Sequence, residues 1–139
     1  MIRGFACGVF DLYHPGHVLM LAECSAHCDH LTVAVNRASA FDPKINPNKR
    51  APIFTAEERA KVLRSVKYVD EVIFYDSESE LTFLMENGNY AVRFLGDDYR
   101  GKPITAPEAI FTIHYLDRSH GYSTSSVLLR IGTQIKNLA

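Results

Sequence analysis

Short apolar runs alternate with stretches of helical period along the chain, and that alternation limits the fold more than any other feature. Residues 2–10, 31–35, 71–75, 92–95 and 110–116 read as buried strands, short and rich in apolar, β-branched or aromatic side chains. Between them, residues 15–28, 55–66 and 77–88 read as helices, and a last helix begins near Ser123 with Val127, Leu128, Ile131 and Ile135 on one stripe. Thr55 with Glu58 and Ser77 with Glu80 are capping boxes at two helix starts, and Gly88 stands at a C-cap position. Strands separated by helices call for right-handed crossovers, hence a parallel sheet covered on both faces. With 139 residues there is room for one such unit, so residues 1–139 are expected to form one doubly wound α/β domain with a five-stranded parallel sheet.

Charge and composition narrow the partners. Fifteen Lys and Arg against sixteen Asp and Glu give no broad basic field for nucleic acid. No apolar run approaches the ~18 residues of a membrane helix, and the first residues lack a charged leader with a greasy stretch behind it. No membrane partner and a cytoplasmic location are expected. Three cysteines, an odd number, read as reduced thiols. Cys24 and Cys28 lie near His27 and His30, which raises a zinc reading. They are also one helical turn apart, with Leu21 on the same face, and a free cysteine packs as a small buried hydrophobe.

In doubly wound sheets, ligands bind at the carboxyl ends of the strands near the switch point. Three loops therefore matter: residues 10–17, 36–54 and 117–124. The first belongs to the run Gly8-Val-Phe-Asp-Leu-Tyr-His-Pro-Gly-His17, where a strand ends and a helix starts, and backbone N–H groups with the helix dipole favour an anion there. His14 and His17, three residues apart, can both reach one phosphate if Gly16 lets the backbone come close. A zinc pair would need a third ligand and is commonly spaced by four. The second loop carries three prolines with Lys44, Lys49 and Arg50, and exceeds the ~12–15 residues above which a loop is usually functional.

The full Gly-x-Phe-Asp-x-x-His-x-Gly-His pattern resembles the H-x-G-H signature of the cytidylyltransferase-like nucleotidyltransferases. The run Arg118-Ser-His-Gly-Tyr-Ser-Thr-Ser125 resembles their second signature, a basic residue ahead of a Ser-Thr helix start. Residues 67–72 (KYVDEV) and 96–102 (GDDYRGK) are similar to the matching segments of glycerol-3-phosphate cytidylyltransferases, and the likeness extends over residues 5–131. It implies a Rossmann-like fold and transfer of a cytidylyl group from CTP to glycerol 3-phosphate, giving CDP-glycerol and pyrophosphate by in-line attack on the α-phosphorus. Positioning and charge neutralisation would supply the catalysis.

The same resemblance implies the roles. His14 and His17 would stabilise charge on the α-phosphoryl group, and backbone groups of Val9 and Phe10, with Asp11 and Gly16, would shape the phosphate pocket. Arg118 would contact the triphosphate, and Ser123 and Thr124 would cradle its outer phosphates. Lys44, or else Lys49, would close over them, and the loop from Gly96 through Asp98 to Tyr99 would lie against the base. Arg59 on the helix opened by Thr55 and Lys67 just beyond its end, eight residues later and so able to lie on the same side, would hold the acceptor phosphate. Mg²⁺ would be bound mainly through the nucleotide phosphates, and residues 67–72 would pair two subunits in a homodimer.

Val9 stands where the family's threonine is usual, Tyr99 where a tryptophan often is, and Ser125 where a second threonine is. Asn36-Arg-Ala38-Ser39 replaces a stretch that carries an aspartate near the ribose, which leaves the ribose contacts open. Two alternatives stand: an adenylyltransferase using ATP and a sugar 1-phosphate, of the heptose-phosphate type, and a non-catalytic nucleotide-binding module.

Overall fold

The computed structural model describes residues 1–37, 44, 50–104 and 112–138. In chain order it contains β1 (Arg3–Gly8), α1 (Pro15–Ala26), β2 (His30–Asn36), α2 (Ala56–Arg64), β3 (Glu71–Tyr75), α3 (Glu78–Asn87), β4 (Val92–Gly96), β5 (Thr112–Leu116) and α4 (Thr124–Leu138). A 3-10 turn, Asp97–Tyr99, follows β4. Ala38, Ser39, Lys49 and the expected start of the fifth strand lie outside the described residues.

The strands form one parallel sheet in the order β3-β2-β1-β4-β5, an α/β Rossmann-like architecture. The chain runs outward from β1 to β3, then crosses back to lay β4 on the other side of β1. The switch point is therefore the boundary between β1 and β4. These two strands are in register only at Gly4–Val92 and Phe5–Arg93 and part beyond them, opening a crevice at their carboxyl ends.

Alternation along the strands divides the core in two. Ala6, Val33, Val35, Val92 and Phe94 pack with Leu21 and Cys24 of α1 and Leu63 of α2. On the opposite face Phe5, Ala34 and Tyr75 pack with Leu81 and Met85 of α3. Cys24 is fully buried in the first core, and the Cys28 thiol donates to the Cys24 carbonyl at 3.3 Å. That is the packing role, and no group of three metal-ligating side chains forms among the described residues.

Local chemistry sets the ends of the elements. Thr55 Oγ1 accepts the Glu58 amide at 3.1 Å and Glu58 Oε1 accepts the Thr55 amide at 3.0 Å, a full capping box. At α3 only the forward half is made: Ser77 Oγ accepts the Glu80 amide at 3.1 Å and also meets Ser79 Oγ at 3.1 Å. Gly88 caps α3 with ordinary backbone (φ −92°), and the left-handed residue is the next one, Asn89, at φ 55°. Gly88 is required for space, because a Cβ there would run into the Tyr90 ring. Asp70 fixes the start of β3, its carboxylate accepting the Leu31 amide at 2.8 Å while its own amide donates to the Leu31 carbonyl at 3.0 Å.

The apolar stripe of the last helix stays outside the core. α4 forms, but Ile131 and Ile135 are 42% and 61% exposed and none of its described residues is buried. Helical period establishes the helix; only neighbours make a stripe into core. No described helix is long and apolar enough to cross a membrane.

Candidate active site

Past β1 the backbone adopts left-handed conformations at Phe10 (φ 55°) and Leu12 (φ 51°), on either side of Asp11. Non-glycine residues held there cost roughly 1–3 kcal/mol each and persist only where surrounding contacts enforce them. Asp11, 4% exposed, supplies such contacts. Its carboxylate accepts the amides of Ile53 at 2.7 Å and Phe54 at 3.0 Å, tying this loop to the approach to α2.

α1 opens with an unusual cap. His14 is the N-cap residue, and its Nδ1 accepts the Gly16 amide at 3.1 Å. His17 Nδ1 accepts the His14 amide at 3.1 Å, so two imidazoles close a capping box of the kind Ser and Glu usually make. The rings stack with centroids 3.8 Å apart, and His17 also lies against Tyr13 and Phe10, each 5.5 Å away. Because both Nδ1 atoms accept, each neutral ring carries its proton on Nε2. Burial holds both rings neutral. It lowers His14, helped by the charges of His120 and Arg118, and it pushes His17 down to about 3, helped by His14 and Arg118. The product is a pair of Nε2–H donors at a helix N-terminus, suited to phosphoryl oxygens.

The third loop meets this pair. The Thr124 hydroxyl donates to the Asp11 carbonyl at 3.2 Å, and its oxygen lies 3.5 Å from His14 Nε2. Ser123 Oγ accepts the Ser126 amide at 3.0 Å as an N-cap, which leaves its own O–H as a donor. Gly16 is crowded by protein: a Cβ would sit 2.7 Å from Tyr122 Cβ and 2.8 Å from His14 Cε1. Arg118 Nη1 stands 3.7 Å from Asp98 Oδ1, and the Arg118 amide donates to Asp97 Oδ2 at 3.4 Å, which joins the turn after Gly96 to the second motif. A Cβ on Gly96 would come within 3.2 Å of Arg118 Nη1.

Arg59 has a different use from the expected one. It is 3% exposed, and it donates from Nε to the Phe54 carbonyl at 3.1 Å and from Nη1 to the carbonyls of Val9 at 2.8 Å and Asn36 at 3.0 Å. Lys67 is exposed, its ammonium 5.2 Å above the Tyr68 ring. Lys67 lies beyond the end of α2 at Arg64, as its spacing implies, whereas Arg59 is on the helix's buried face. Arg59 is a positioning residue that binds the ends of β1 and β2 to the start of α2. Lys44 is exposed in a turn.

A cleft of about 1270 Å³ runs across the carboxyl ends of the strands and is lined by Val9, Asp11, His14, His17, Arg118 and Thr124, among others. These groups suit phosphate better than a metal. The Asp11 carboxylate is committed to two amides and Asp98 faces Arg118, so a protein-built Mg²⁺ site does not fit the described residues.

Sequence reasoning missed several groups. His120 Nδ1 accepts the Tyr122 amide at 3.0 Å, and the ring's charge would bear on both His14 and His17. Arg93 is 3% exposed on β4 and lines the cleft, as do Cys7, Asn36 and Tyr75. The visible signal was an arginine within an otherwise apolar strand.

The cytidylyltransferase-like family profile matches residues 5–115. The chain is similar to the bifunctional protein HldE of Nitrobacter hamburgensis, 32% identical over 133 residues that cover 93% of this chain and 27% of that protein. It is similar also to the bifunctional protein HldE of Helicobacter pylori, 31% identical over 127 residues covering 91% and 27% of the two chains. The chain thus spans little more than a quarter of these curated relatives. Among solved structures it is similar to the lipopolysaccharide core biosynthesis protein from Thermoplasma volcanium, with a TM-score of 0.66, 28% identity, and coverage of 84% of this chain and 96% of that one.

Proposed function

The chain belongs to the cytidylyltransferase-like family, and we propose that it transfers a nucleotidyl group from a nucleoside triphosphate to the phosphate of a small sugar, with ATP and a sugar 1-phosphate as the leading pair. The observation that carries the transfer reading is the pair of stacked, neutral imidazoles presenting Nε2–H groups at the start of α1. An oxygen of the acceptor phosphate attacks the α-phosphorus, a new P–O bond forms, and the bond to the β-phosphate oxygen breaks to release pyrophosphate. The acceptor phosphate is already anionic at neutral pH, so no general base is needed. His14 and His17 donate to the α-phosphoryl oxygens as charge builds there. Arg118, Ser123 and Thr124 hold the outer phosphates, Lys44 closes over them, and Asp11, Gly16, Val9 and Phe10 keep the loop in shape. Gly96 and Asp98 border the base, and Lys67 remains the candidate for the acceptor's phosphate. Mg²⁺, when bound, would be held through the nucleotide phosphates and would neutralise part of their charge, and residues 67–72 pair two copies in a homodimer.

The choice of acceptor rests on the relatives. They are HldE proteins and a lipopolysaccharide core biosynthesis protein, a likeness that favours a sugar phosphate over glycerol 3-phosphate. The CTP and glycerol 3-phosphate reading keeps one specific support, the GDDYRGK run at residues 96–102.

A thermal-shift comparison of ATP with CTP, each with magnesium, tests the nucleotide. Ligand at 100-fold its Kd should stabilise by ~2.7 kcal/mol. Pyrophosphate release should then require the nucleotide together with a sugar 1-phosphate. If neither nucleotide stabilises the protein and no pyrophosphate appears with any phosphorylated acceptor, the proposal falls.

A further inference from the structure

One side chain from each of four neighbouring strands meets in a row across the α3 face of the sheet. Tyr75 ends β3, Asn36 ends β2 and pairs with it in register, Cys7 lies near the end of β1, and Arg93 lies on β4 at the point where β1 and β4 part. All four line the cleft that holds His14 and His17. Tyr75, Asn36 and Arg93 are buried. Tyr75 and Arg93 both bear electrostatically on the Cys7 thiol, as Asn36 does on the Tyr75 hydroxyl. Glu78, in the first turn of α3, bears electrostatically on Cys7 and Tyr75.

Packing alone does not call for this row. Burying a guanidinium costs several kcal/mol of hydration even after relaxation. On the other face the same strands present Ala6, Val35 and Phe94, which make an apolar core. Holding α3 to the sheet through Glu78 would account for Arg93, but not for a phenol, a carboxamide and a thiol beside it in the cleft.

The chemistry of the row is mixed. The guanidinium only donates, the phenol and the carboxamide both donate and accept, and the Glu78 carboxylate accepts. A phosphate would want donors throughout, whereas a chain or ring of hydroxyls donates and accepts at successive carbons. We infer that Cys7, Asn36, Tyr75 and Arg93 form the subsite for the hydroxyl-bearing body of the acceptor, which makes them the residues that select a sugar phosphate over a smaller alcohol phosphate. This rests on the nucleotidyl-transfer reading above. A site built to hydrogen-bond hydroxyls rejects an acceptor lacking them, because its own polar groups lose partners.

The test uses the whole chain with Tyr75→Phe, which removes one hydroxyl and keeps the ring in the core, and Arg93→Lys, which keeps the charge but loses the fork. Mannose 1-phosphate, a heptose 1-phosphate and glycerol 3-phosphate serve as acceptors. In each variant KM for the sugar 1-phosphates should rise at least tenfold, while KM for the nucleotide and for glycerol 3-phosphate stays within twofold. Calorimetric binding of the sugar 1-phosphates should weaken to the same degree, and this readout needs no turnover. Equal changes for all substrates would mean a structural role and overturn the inference, as would no change in a folded Tyr75→Phe protein or no sugar phosphate binding to the wild type. If sugar phosphates bind through the row but no nucleotide is consumed with any acceptor, the row stands and the transfer reading falls. Should Arg93→Lys fail to fold, Tyr75→Phe decides alone.

Discussion

The hydroxyl of Thr124 donates to the carbonyl oxygen of Asp11, 113 residues earlier in the chain, at 3.2 Å. The start of the last helix is thereby fastened to the loop that presents both histidines. Thr124→Val, which keeps the shape and removes the hydroxyl, should lower kcat/KM for the nucleotide at least tenfold, ~1.4 kcal/mol. Thr124→Ser should restore most of it. Steady-state kinetics on the three proteins check this, and equal activity in all of them would remove the hydroxyl from the site.

His14→Ala and His17→Ala should each reduce kcat by roughly 10²–10³-fold, the cost of losing one donor to developing charge. The rings stack at 3.8 Å and address one phosphoryl group, so the double variant should lose less than the product of the two. A fully multiplicative loss would show that the two act separately.

Acid sensitivity follows from the same burial. His17 titrates at about 3 in the folded protein against an ordinary 6.5, so between those values the unfolded chain binds a proton that the folded chain refuses. Stability is full above the upper value and falls as the pH drops through the window, by at most about 1.4 kcal/mol per pH unit from this group. Urea midpoints at pH 7.5, 6 and 5 should decline more steeply for the wild type than for His17→Asn. Parallel curves would show that the imidazole is not held neutral.

Arg59→Ala should act on the fold before it acts on any substrate. It strands the carbonyls of Val9, Asn36 and Phe54, and leaving buried polar groups unpaired costs about 1–3 kcal/mol each before relaxation. A drop of about 2 kcal/mol or more in unfolding free energy is expected by chemical denaturation. A variant as stable as the wild type with only a raised acceptor KM would return Arg59 to the acceptor site.

What the sequence disclosed and what it hid divide along a physical line. Strand and helix periods are local, so β3 was read at its observed bounds, Glu71–Tyr75, and the two capping residues Thr55 and Ser77 were found by spacing alone. The loop at His14 and His17 was legible because its residues are contiguous. The hold of Arg59 on the fold is not legible in the sequence, because a helix position says nothing about which side faces the protein until the sheet is in place, and here the inward side ends on three carbonyls. The row through Arg93 stayed hidden for a related reason. Its members come from four separate strands, and only the sheet order makes them neighbours.

The left-handed backbone at Leu12 carries an implication for anyone seeking a hardier form of this protein. Glycine adopts that conformation without steric penalty, so Leu12→Gly would relax the native loop. It would also free the unfolded chain, which takes back about 0.4–1 kcal/mol of the strain relieved. Thermal tolerance would hold or rise. What would change is how narrowly Asp11 is aimed at the amides of residues 53 and 54, so a heat-selected library would pass such variants while a turnover screen discards them.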